Sequence, residues 1–154
     1  WLGIAIGAVL VGHLLNYYHK IQWVLFGCSL LGFVAFYGVL NFHLPLMGVG
    51  VLLFLIGVAS CGQVLSFNFV HHEVELSNLG MAMGFNNCAL VLTGAIFQPL
   101  IGYLLSIHWS GAMQGNVPYY SVGNYLYALR ILPWCYLASA VIAIFLKRNL
   151  SRAK

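Results

Sequence analysis

The side chains of this chain best able to do chemistry are six histidines, two glutamates and four cysteines. Their spacing forms no familiar centre. A zinc protease places two histidines four apart on one helix with a glutamate between them, and HExxH does not occur. His71 and His72 are adjacent, and helical neighbours diverge by about 100°. Cys28, Cys61, Cys88 and Cys135 each fall inside an apolar run without a CxxC pair. They read as small buried hydrophobes. GxSxG, the P-loop and GxGxxG are missing too. The chain is therefore read as non-enzymatic, with no metal and no cofactor. A haem or metal site built on the clustered histidines is the enzyme-class alternative.

The uncharged polar residues are more informative. Gln63, Asn68, Asn86, Asn87, Thr93 and Gln98 stand inside apolar runs. An unpaired amide in hydrocarbon is costly, so each needs a partner or a wet cavity. Helical angles sort them. With Asn87 at zero, Gly94 falls at about −20°, Gly80 and Gln98 at about +20°, and Gly84 and Gly102 at about +60°. These six make one narrow stripe, which suits contact with another helix because missing side chains let backbones approach. Asn86 and Thr93 fall elsewhere, at about −100° to −120°, toward another neighbour or a wet cavity. Pro99 leaves the carbonyl of Ala95 without its usual partner and is expected to bend the helix. In the preceding apolar run Gly50, Gly57, Cys61 and Asn68 share one side. Gln63 points away from them, and a polar cavity and helix packing account for it equally.

The elements that hold these residues follow from composition. Of 154 residues, 62% are hydrophobic and only 5% charged, against about a quarter charged in soluble domains. Eight charged side chains cannot cover a surface in water, so the solvent is mostly lipid. The net charge of +4 is no nucleic-acid signal, because four of the six Lys/Arg lie in the last eight residues. Spans of about 20 apolar residues cross a bilayer. Five are expected, over about 1–17, 21–41, 46–69, 79–106 and 124–146, with a tail at 147–154. Residues 107–123 read as a loop lying at an interface. The chain opens on Trp1 without a basic flank, which reads as a fragment beginning inside a helix.

Orientation follows from the positive-inside rule. Lys20 and the tail share one face and supply five Lys/Arg, whereas the 42–45 and 107–123 segments supply none. The tail is thus expected in the cytoplasm. Arg130, near the outer end of the last span, is expected to snorkel outward.

The stretch "GFNNCALVLTGAIFQPLIGYLL", Gly84 to Leu105, resembles the eleventh transmembrane helix of major facilitator superfamily transporters, in its G-x-x-N…GA-x-x-QP-[LI]-x-G form. "NYLYALRILPWCYLASAVIAIFLKRN" is similar to the twelfth. "GHLLNYYHK" sits where the family repeats a cytoplasmic turn signature between helices eight and nine. Gly12 and Lys20 keep that pattern, but Asn16 replaces the usual Asp and His19 a common Gly. The resemblance implies an all-α membrane protein, a partial C-terminal bundle matching helices eight to twelve.

It further implies a multi-pass protein of the bacterial inner membrane that moves a small polar solute by alternating access. An amino acid or other nutrient is the expected cargo and a proton the expected coupling ion. Partners would be the lipid bilayer, the solute and the N-terminal half of the same transporter, and not nucleic acid. On this mapping the stripe of Gly80, Gly84, Asn87, Gly94, Gln98 and Gly102 meets that other half. Gln63 and Asn68 belong to the cavity or gate, with Asn86 and Thr93 as further residues of the solute path. Glu73 and Glu75 lie outside every span, so this chain offers no membrane acid for proton coupling. A small membrane-embedded binding or assembly subunit without transport activity is the alternative.

Overall fold

The computed structural model describes residues 1–18 and 21–145. Helices α1 (Leu2–Tyr18), α2 (Ile21–Asn41), α3 (Leu46–Ser60), α4 (Gly62–Glu73), α5 (Leu79–Ile107), α6 (Val122–Leu129) and α7 (Ile131–Phe145) form the fold. Strands β1 (Met113–Gln114) and β2 (Val117–Pro118) pair antiparallel between α5 and α6. Among the described residues the fold is all-α apart from this small hairpin, and four rods are long and apolar enough to cross a membrane: α2, α3 with α4 (Leu46–Glu73), α5, and α6 with α7 (Val122–Phe145). Helix α1 is apolar but shorter, at 17 residues. Lys20, His19 and residues 146–154, including the expected tail, lie outside the described residues.

Two spans expected as single helices each run as one rod that is interrupted at a single residue whose backbone stays in the right-handed helical region. The 46–69 span breaks at Cys61 and runs on to Glu73. The cause is local chemistry. Ser60 Oγ donates to the Ile56 carbonyl four residues back at 2.9 Å, a bond that bends helices, and Gly62 follows directly. The 124–146 span begins at Val122 and breaks at Arg130. Pro133, three residues on, has no N–H to give the Leu129 carbonyl and its ring crowds that turn. Pro99 by contrast lies inside an unbroken α5.

The segment expected as a plain loop at 107–123 is partly ordered by pairing. Met113 faces Pro118 and Gln114 faces Val117 across the hairpin. Gly115, at φ +64°, takes the left-handed turn position that other L-residues resist. Trp109 Nε1 donates to the Ala112 carbonyl at 3.0 Å. The entrance to α6 is a reciprocal cap: Asn124 N donates to Ser121 Oγ at 3.3 Å and Ser121 N donates to Asn124 Oδ1 at 3.2 Å. This satisfies backbone donors that a helix start otherwise leaves open.

Backbones come close where α1 crosses α3. Gly3 lies against the Phe54 carbonyl and Gly57, and Gly7 against Val58 and Cys61. Cys61 Sγ donates to the Ile4 carbonyl at 3.1 Å. These are small residues four apart on both helices, an arrangement that brings backbones together in lipid. The sequence carried the signal in "GIAIG" at Gly3 to Gly7, but only the pairing with Gly57 gives it meaning. The core beside this contact holds Val11, Ile21, Val24, Cys28, Cys61 and Leu65. Helix α7 runs antiparallel along α2, with Tyr136 laid over Gly32 and Ser29 bonded to Ser139 at 2.9 Å. The outer surface is strongly apolar: Met81, Phe85, Val91 and Ile96 of α5 all stand exposed. Such a surface suits hydrocarbon better than water.

Candidate functional site

Some of the polar residues inside the helices gather in two places. The first is an open cavity of about 560 Å³ between α2, the α3–α4 break, α5 and α7. Its polar wall comes from Ser29, Ser60, Gln63, Thr93, Tyr136 and Ser139. Each reaches the cavity for a structural reason. Ser60 and Gln63 flank the break at Cys61. Tyr136 can lie across α2 because Gly32 has no side chain; a Cβ there would overlap the tyrosine ring. Thr93 lines the cavity from α5, beside Gly94 and Phe97.

The hydroxyls are partly satisfied by one another. Ser29 and Ser139 share a proton bridge at 2.9 Å. Ser60 has spent its proton on Ile56, so the Tyr136 hydroxyl, at 3.4 Å, is the donor of that pair. Thr93 Oγ1 donates to the Ala89 carbonyl of its own helix at 2.9 Å, which leaves its lone pairs to accept. The Gln63 carboxamide is exposed and makes no hydrogen bond among the described residues. It brings two donors and an acceptor to the cavity wall. Among the described residues no Asp, Glu, Lys, Arg or His lines this space.

The second place is a cavity of about 650 Å³ between α1 and α4, lined by Val9, Gly12, His13, Leu15, Asn16, Asn68 and His72. Gly12 and Asn16 of the expected turn signature are here, whereas Lys20 lies outside the described residues. Asn68 Oδ1 is buried without a hydrogen-bond partner among the described residues.

The expected path residues thus separate. Gln63 and Thr93 share the first cavity, and Asn68 lines the second. Asn86 lies in neither: its Nδ2 donates to Ser66 Oγ at 3.0 Å. Ser66 in turn donates to the Gln63 carbonyl at 2.7 Å, so a short relay ties α5 to α4 beside the first cavity. The stripe residues sit differently again. A Cβ on Gly80, Gly84, Gly94 or Gly102 would meet nothing within 4 Å. Asn87 and Gln98 are exposed with no hydrogen bond among the described residues. No residue of α5 is buried. The stripe therefore faces away from the rest of the described chain, except that Gly94 also touches the rim of the first cavity.

Of the described histidines, His13 and His72 share the second cavity. Among the described residues no group of three or more His, Cys, Asp or Glu could hold a metal ion. The rings of His71 and His72 lie edge to face, 5.6 Å apart, and His108 packs on Tyr127 with centroids 4.0 Å apart. Arg130 is exposed at the α6–α7 break. Sequence reasoning missed Ser29, Ser60, Tyr136 and Ser139, because single hydroxyls in apolar runs stand out only once three helices bring them together. Compared with protein-family models, curated proteins and solved structures, the chain matches none of them.

Proposed function

We propose that this chain is a C-terminal part of a secondary transporter of the major facilitator type. It would move a small polar solute by rocking against the other half of the same protein. The observation that carries the reading is the open stripe of α5. Six small or amide residues line one side of a 29-residue apolar helix, and its four glycines have empty space above them. Lipid gains nothing from exposed amides and missing side chains, whereas a second helix bundle gains close approach and hydrogen bonds. The polar cavity beside the kink at Cys61 adds support, since it offers hydrogen-bonding groups to a solute between apolar rods. The sequence resemblance of residues 84–105 supports the same family. The excess of Lys/Arg at Lys20 and the tail supports an inner-membrane orientation with a cytoplasmic C-terminus.

The test is uptake by the full-length protein. Gly84→Leu, remote from the cavity, and Gly94→Leu, on its rim, should each abolish uptake while leaving membrane insertion intact, because added bulk wedges the contact. Normal uptake in Gly84→Leu would remove the interface on which the reading rests.

A further inference from the structure

The first cavity specifies its ligand more narrowly than transport in general requires. We infer that it binds an uncharged amphiphilic solute, one with an apolar body and a neutral hydrogen-bonding head. The inference deepens the transporter reading, on which its identification as a solute site rests.

Charge gives the first argument. Among the described residues no Asp, Glu, Lys, Arg or His lines the space. The surrounding rods are all long enough to cross a bilayer, so a carboxylate or ammonium bound against these walls would give up hydration without gaining a counter-charge from them. A zwitterion would lose it twice. Shape and chemistry give the second argument. A volume of about 560 Å³ falls within the range of roughly 300–1,000 Å³ usual for small-molecule sites. Leu25, Phe97 and Leu132 supply apolar wall, and Phe97 with the Tyr136 ring offers aromatic surface. The hydroxyls of the wall already bond in pairs, Ser29 with Ser139 and Tyr136 with Ser60, and each pair keeps lone pairs, with one serine proton besides, for a ligand. Gln63 makes no hydrogen bond among the described residues, and Thr93 keeps its lone pairs to accept. That suits a neutral head, bonded to the Gln63 amide, with the body against the apolar wall.

The experiment uses three probes with the same indole ring and different charge: neutral indole-3-ethanol, cationic tryptamine and anionic indole-3-acetate. Binding to the full-length protein in lipid nanodiscs is measured against empty nanodiscs and against Gln63→Leu. Leucine keeps the bulk and removes the amide, and an added apolar residue in a membrane helix leaves insertion intact. The expected result is saturable binding of indole-3-ethanol, at least about tenfold tighter than either charged probe. Gln63→Leu should weaken it roughly five- to tenfold. Equal or tighter binding of tryptamine or indole-3-acetate would overturn the charge argument. Unchanged binding in Gln63→Leu would overturn the site. Non-saturable uptake matching that of empty nanodiscs would mean that bilayer lipid fills the cavity, and would overturn the inference as well. The transporter reading stands or falls separately. Loss of probe binding with solute uptake intact defeats the site alone, and probe binding in a protein whose Gly84→Leu variant still takes up solute defeats the rocking interface alone.

Discussion

Alanine at Gly7 should weaken this fold while alanine at Gly94 should not, although both substitutions add one methyl to a glycine in an apolar helix. At Gly7 the new Cβ would lie 2.8 Å from Cys61 Sγ and 2.8 Å from Val58 Cα. Ordinary contact begins at 3.4 Å, so α1 must retreat by about 0.6 Å. A radial gap of that size forfeits roughly a quarter of the dispersion well for every atom pair along the contact. It also stretches the Cys61 bond to the Ile4 carbonyl, already at 3.1 Å. Val58 Cα is backbone and cannot swing aside, so overpacking of about 1–3 kcal/mol is expected. Against this, glycine-to-alanine in a helix interior favours the helix by about 1 kcal/mol. At Gly94 the same gain applies with nothing within 4 Å to oppose it. The difference between the two variants therefore isolates the clash, at about 1–3 kcal/mol. Reversible unfolding of residues 1–154 in mixed micelles, titrated with denaturing detergent, reads that difference directly. Equal stability of the two variants, within about 0.5 kcal/mol, would refute the close crossing of α1 and α3.

Three other expectations are open to test. Loss of uptake in Gly84→Leu and Gly94→Leu at normal membrane insertion is the transport experiment, read by radiolabelled solute in cells. Ser121→Ala removes the reciprocal cap at the start of α6 and should cost about 1 kcal/mol locally; amide exchange in the first turn of α6 should quicken about fivefold, and unchanged exchange would show that the cap holds nothing. A cysteine placed in the tail at 147–154 should react with impermeant thiol reagents only from the cytoplasmic side, and labelling from outside intact cells would reverse the proposed orientation.

Much of this protein was legible in its sequence because much of it is local. Hydropathy and length delimit spans without knowledge of neighbours, since every backbone group in lipid must bond within its own helix. The period of 3.6 placed Gly80, Gly84, Asn87, Gly94, Gln98 and Gly102 on one side of α5 and set Asn86 and Thr93 apart, because angle along a helix depends only on sequence separation. The breaks at Cys61 and Arg130 were also local, written in Ser60-Cys61-Gly62 and in Pro133, but hydropathy is blind to them.

Partnership is the part that only the tertiary structure decided. "GIAIG" does not say that Gly3 and Gly7 meet Gly57 and Cys61, and nothing in "GCSL" or "YLAS" says that Ser29 finds Ser139. Gln63 and Asn68 sit five residues apart on the same helix, yet the fold sends them to different cavities. Each of these outcomes depends on which helix lies alongside. In lipid that is set by shape and hydrogen bonding between surfaces far apart in sequence, not by hydrophobicity, which is nearly the same on every side of these helices.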